Sequence, residues 1–171
     1  MEEYKLKEEI KSDWVFIIII LLMFVMGLIA LPYLPDQIIV HWNSQGQPDN
    51  YMNKIIGICV FFMTTLVTYV LILLVPVIDP KRKNYFKFQK FYRWTRRGTV
   101  LFLFIINAMV LFCNLGNPKF FKIDIVYYGL GLLIIIIGNF LPQVRKNYFM
   151  GIRLPWTLAD EKVWRKTHFL A

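Results

Sequence analysis

Two histidines, two cysteines and a few isolated carboxylates are the side chains of this 171-residue chain that could do chemistry. His41 stands in "LPDQIIVHWNSQGQPDNYMNK" with Asp36 and Asp49 on either side, a conceivable ligand trio for a metal ion. His168 lies far along the chain, near Arg153 and the words "RLPWTLADEKVWRKTH". The spacings match no recognised metal site. No HExxH, CxxC, GxSxG, Walker or GxGxxG pattern occurs either. The reading is therefore no catalytic residue, no metal and no cofactor. In its place, Trp42 anchors the 35–54 loop at a membrane interface and Asp49 closes an Asx-type turn after Pro48.

The elements that must position these residues are apolar. Hydrophobic side chains make up 57% and charged ones only 18%, against a usual 45–50% and about 25%. Charges vanish from 14–35, 55–78, 98–118 and 125–144, stretches of 22, 24, 21 and 20 residues. Each is long enough to cross about 30 Å of hydrocarbon as a helix. None has the polar stripe that a water-facing helix needs. The expectation is an all-α integral membrane protein with four transmembrane helices. The first span is too long for a signal peptide and lacks a small-x-small cleavage pattern. Cys59 and Cys113 fall inside spans, so two reduced apolar cysteines are expected rather than a disulfide framework.

Orientation follows from the bases. Seventeen of twenty Lys and Arg residues lie in the 1–13 tail, the 79–97 segment and the 145–171 segment, which four spans place on one side. The positive-inside rule makes that side, with both termini, cytoplasmic. His41 and His168 then lie on opposite faces and share no site. The organisation expected is a cytoplasmic tail (1–13), a two-span unit (14–78) with its external 35–54 loop, a basic-aromatic cytoplasmic loop (79–97), a second two-span unit (98–144) and a cytoplasmic tail (145–171).

Residues 1–13 interleave Glu2, Glu3, Glu8 and Glu9 with Lys5, Lys7 and Lys11, the pattern of a short solvated or interfacial helix. "KRKNYFKFQKFYRWTRR" mixes bases with aromatics. Such a mixture can stack on single-stranded nucleic acid, but between two spans it suits anionic headgroups better, so no direct nucleic-acid binding is expected. "GNPKFFKID" forms the short second outer loop. Asn107, Asn139 and the Thr64, Thr65, Thr68 group are the main polar residues at membrane depth, suited to bonds between helices. No ionisable group lies well inside a span, which counts against an ion-coupled carrier. Thr157 and Asp160 fit a helix start, predicting a short amphipathic C-terminal helix over 158–168 with Trp164 at headgroup level.

The wording of two strings goes beyond composition. "GNFLPQVRKNYFMGIRLPWTLADEKVWRKTH" closely resembles the signature of the SdpI family of bacterial toxin-immunity membrane proteins. The outer string resembles the domain of unknown function found upstream of it, with an LPxxIxxHWNxxGxPDxY loop. The signature positions are Asn139, Pro142, Asn147, Tyr148, Gly151, Arg153, Pro155, Trp156, Thr157, Trp164, Thr167 and His168. The outer positions are Pro35, His41, Trp42, Asn43, Gly46, Pro48 and Asp49, and apart from Pro35 they are the candidate toxin or ligand contacts. The resemblance implies a multi-pass protein of the bacterial cell membrane that protects against a secreted peptide toxin or bacteriocin. Its partners would be the bilayer, that toxin and a cytoplasmic repressor to which it signals; no catalysis is implied. Longer members continue into two more spans, so the resemblance implies a short form. The alternatives are a small transporter or a membrane-assembly subunit, and the oligomeric state is open.

Overall fold

The computed structural model describes residues 4–116 and 123–170. Residues 117–122 of the second outer loop, Lys119 and Lys122 among them, and the acids Glu2 and Glu3 lie outside the described residues. Four helical segments are long and apolar enough to cross a membrane: Trp14–Tyr33, Lys54–Ile78, Arg82–Asn114 and Asp124–Gln143. Their side chains turn largely outward, with Ile18, Leu71 and Ile135 all more than half exposed. Lipid tolerates that face, and an α-helix satisfies its own backbone bonds there. The expected membrane architecture is borne out, with one addition: a two-stranded antiparallel hairpin.

The chain forms two compact units. One gathers Trp14–Tyr69 and Thr99–Gly131. In it, α2 (Trp14–Ala30) and the start of α3 (Lys54–Ile78) pack closely at Gly27, where a Cβ would stand 2.7 Å from the Ile58 side chain. Between these helices in sequence run β1 (Gln37–Trp42) and β2 (Pro48–Asn53). Ile38 is buried with Ala30, Leu34, Ile58 and Leu111, so the hairpin is seated on the helices. Its outer edge is capped by Asn114, the last residue of α4 (Gln89–Asn114). The Asn114 amide accepts from Ile39 N at 2.7 Å and donates to Ile39 O at 3.0 Å, as a neighbouring strand would. Deeper in this unit Asn107 donates to Thr65 Oγ1 at 3.0 Å, the interhelical role expected of both.

The other unit holds the residues up to Asp13, Val70–Gly98 and everything from Leu132. Here the segment expected to be a loop is helical: a 3-10 turn over Arg82–Phe88 leads directly into α4. Tyr85, Phe88, Phe91, Tyr92, Val144 and Trp164 form its core. Aromatics that sequence alone assigns to headgroups are thus consumed in packing. Pro76 lies within α3, lacks an N–H and crowds the carbonyl four residues back. Tyr92 Oη donates to that carbonyl, Ile72 O, and Tyr4 Oη donates to the adjacent Leu73 O at 2.9 Å.

The N-terminal segment is not a solvated lead-in. On α1 (Leu6–Ser12) and just after it, Glu9 and Asp13 are fully buried. Arg93 and Arg96 bond Glu9 at 2.6 and 2.8 Å, while Arg96 and Arg97 bond Asp13 at 2.6 and 2.7 Å. Arg96 is itself fully buried. Burial alone would raise the Glu9 carboxyl, but donors from Arg93, Arg96 and Gln89 outweigh it and hold the group below its ordinary value. Removing one partner would strand a buried charge. Glu9→Ala is expected to cost about 3–5 kcal/mol. Lys5→Ala, which breaks only the exposed Lys5–Glu8 pair, should cost no more than about 0.5 kcal/mol. Thermal unfolding of the detergent-solubilised variants measures both.

Candidate functional site

Two clusters collect the residues singled out in the sequence, one in each unit. The hairpin owes its shape to two irregularities of pairing. Ile39 faces Tyr51, but His41 faces Asn50 and Trp42 faces Pro48, so one residue is extra on each strand. Val40 and Asp49 are those extra residues, and bulges of this kind re-aim side chains. Asp49 is thereby turned to His41, Oδ1 to Nδ1 at 2.5 Å, on an exposed surface. The turn itself is closed by Asn43 rather than Asp49: Asn43 Oδ1 accepts from Gln45 N and Gln47 N at 3.0 and 2.9 Å. Gly46 takes φ +73 there, a conformation glycine adopts without strain. Lys54 ties the hairpin base, bonding Asp36 at 3.1 Å and Leu34 O at 3.2 Å. Asp36 is paired with Lys54, and among the described residues no group of three or more metal-ligating side chains assembles.

The second cluster is built around Asn147, which is fully buried. Its Oδ1 accepts from Phe149 N and Met150 N at 2.9 and 2.6 Å, and its Nδ2 donates to Arg145 O and Met150 O. One side chain thus substitutes for the ladder that the irregular 144–154 segment lacks. Tyr85 Oη stands 3.2 Å from the same Oδ1 and 2.9 Å from Asp79 Oδ2. Asp79 also accepts from Lys81 N and Tyr148 N, at 2.6 and 2.8 Å. Sequence reasoning assigned neither Asp79 nor Tyr85 a role. A signal was present: Asp79 is the lone acid among eight bases over 79–97.

The chain then turns at Gly151 (φ +108), and a Cβ there would collide with the His168 ring. His168 lies on α7 (Glu161–Leu170) and is stacked on Trp164 with ring centroids 4.1 Å apart. Its Nε2 accepts from Ile152 N at 2.9 Å, which leaves Nδ1 to carry the proton toward Trp164 O at 2.8 Å. Trp164, fully buried, donates from Nε1 to Val144 O at 2.9 Å instead of sitting at headgroup level. Arg153 Nη1 reaches Tyr148 O at 2.9 Å.

The helix start also differs from expectation. Thr157 belongs to a separate short helix, α6 (Pro155–Ala159), with Pro155 at its first position. Thr157 Oγ1 accepts from Leu154 N and donates to Ile152 O, both at 2.8 Å. Asp160 is the residue that caps α7, accepting from Lys162 N and Val163 N at 2.6 and 3.0 Å. Those two backbone bonds hold its carboxyl below the ordinary value. Four signature residues stay outside this network of bonds. Asn139 bonds only its own helix at Ile135 O, Pro142 sits in a 3-10 turn, Trp156 is exposed and Thr167 is half-buried.

Four long apolar helices, joined to polar networks at their ends, define a multi-pass protein of the cell membrane. Its two marked strings fall where known families match. Residues 143–171 match the SdpI/YfhL protein family, and residues 18–66 match a domain of unknown function, DUF1648. The immunity protein SdpI of Bacillus subtilis (strain 168) is 28% identical over 156 residues, covering 91% of this chain and 72% of that protein. No solved structure matches. The family resemblance read from the two strings is thereby borne out.

Two outcomes follow from the signature cluster. Gly151→Ala should cost about 2 kcal/mol or more, since the backbone strain of a left-handed φ adds to the clash with His168. Melting temperature in detergent checks it. His168 lies below its ordinary value of 6.5 because burial disfavours the charged ring, a shift only partly offset by the Trp164 carbonyl. The unfolded chain therefore takes up that proton first as pH falls. The stabilisation is complete above about pH 6.5 and is lost as pH falls toward the lowered native value. The protection factor of the Ile152 amide, its exchange corrected for the intrinsic pH dependence, should fall over that interval in the native chain. His168→Gln should lack this step.

Proposed function

We propose that this chain is a membrane immunity protein that protects its cell against a secreted, membrane-active peptide. The observation that carries the reading is the similarity across 91% of the chain to a protein named for immunity. The geometry supports a binding role over a chemical one. Both ring nitrogens of His168 are engaged by backbone groups, and His41 is engaged by Asp49. The hairpin is a preformed surface, held by Asn114 and Lys54 and presenting exposed Asp49, Asn50 and Tyr51.

In this reading the basic segments lie in the cytoplasm and the hairpin faces outward, where it meets the peptide with His41, Trp42, Asn43, Gly46, Pro48 and Asp49. The α6–α7 surface, with exposed Trp156, Lys162, Arg165 and Lys166, meets a cytoplasmic regulator. Expression in a strain sensitive to such a peptide tests the proposal. The expected result is survival with the native chain. His41→Ala with Asp49→Ala should lower the tolerated peptide concentration about tenfold, the equivalent of one contact of about 1.4 kcal/mol. Sensitivity unchanged by a chain that is abundant in the membrane overturns the reading.

A further inference from the structure

Within the unit that contains the signature, α4 and α5 (Ile123–Phe140) stand apart along a groove of about 590 Å³. Its polarity is graded. Lys90 and Gln143 line one end, Trp94 and Thr95 follow, and Gly98, Leu133 and Ile136 line the other. Phe91 of α4 stacks on Phe140 of α5, centroids 5.2 Å apart, joining the two walls. From Lys90 to Gly98 the groove runs about 12 Å along the helix.

Its charge is as specific as its shape. Arg93, Arg96 and Arg97, the next bases along α4, are ion-paired with Glu9 and Asp13. Lys90 is exposed and has no ion pair among the described residues. The depth is also defined. Gly98 begins the charge-free stretch of α4, and Gln143 ends the fourth candidate span. Lys90, Gln143 and the 61%-exposed Trp94 therefore lie at headgroup level, with the apolar end reaching into hydrocarbon. A basic mouth between two membrane helices, opening from an apolar slot, is the chemistry that selects an acidic lipid.

We propose that this groove holds one anionic phospholipid of the surrounding bilayer, its phosphate at Lys90 and Gln143 and an acyl chain along Trp94, Gly98 and Leu133. The site is independent of whether the chain confers immunity. The test uses the full chain purified in detergent with equal phosphatidylglycerol and phosphatidylcholine, read by native mass spectrometry. The expected result is one retained phosphatidylglycerol per chain, preferred about fivefold over phosphatidylcholine. Lys90→Gln should abolish that preference while still retaining lipid. Gly98→Leu, whose new Cβ meets nothing nearer than Leu133 at 3.9 Å, should fill the apolar end and release both lipids. Equal retention of the two lipids by the native chain overturns the proposal, as does an undiminished preference in Lys90→Gln. A dimer that Gly98→Leu dissolves also overturns it, because the groove then belongs to a second copy. Should Gly98→Leu fail to fold, the exposed Lys90→Gln substitution decides alone.

Discussion

Arg96 has no route to water, and much of the signature-bearing unit follows from that. A guanidinium of zero exposure is tolerable only when fully paired, and both its carboxylate partners, Glu9 and Asp13, come from the first thirteen residues. Arg93 and Arg97 flank it on α4 and occupy the remaining carboxylate oxygens. The first helix is thus ordered by charge rather than by apolar area. Tyr4 is placed as a consequence, its hydroxyl within 3.2 Å of Arg96 Nη1. Three of the eight bases of the 79–97 segment, which look available to headgroups in a linear reading, are taken up by this pairing.

The same economy governs the family signature. Asn147, Asp79, Thr157 and His168 are all buried, and each spends its polar atoms on backbone groups of an irregular segment. Without regular secondary structure from Val144 to Leu154, those backbone groups need side-chain partners. Residues that stand out as a signature in the sequence are, in the fold, largely the scaffold of a loop. Trp156, Asn139 and Thr167 do not serve that scaffold.

The four spans were legible because hydrocarbon imposes a length and a composition, both visible residue by residue. The hairpin was legible only as an external loop with an Asx-type turn, since pairing depends on bulges at Val40 and Asp49 that no local pattern announces. Charge partners were the least legible. Glu9 and Arg96 are 87 residues apart, and an acid interleaved with lysines looks solvated until the partner arrives. The helix start at Thr157 misled for a related reason. Thr157 and Asp160 are both good caps, and a preceding proline at position 155 had already begun a helix of its own.

Pro76 leaves Ile72 O without its helical donor; Tyr92 supplies one, and Tyr4 adds a second phenol at the neighbouring Leu73 O. In water such a gap would simply hydrate. Near the end of an apolar helix it becomes a socket, since a bare carbonyl there rewards only a hydroxyl arriving at the right height and azimuth. Apolar helix faces slide and rotate past one another at little cost. A proline answered by Tyr92 from α4 and Tyr4 from the N-terminal segment keys the three pieces to one register, and a defect in one helix thereby becomes the thread gauge for its neighbours.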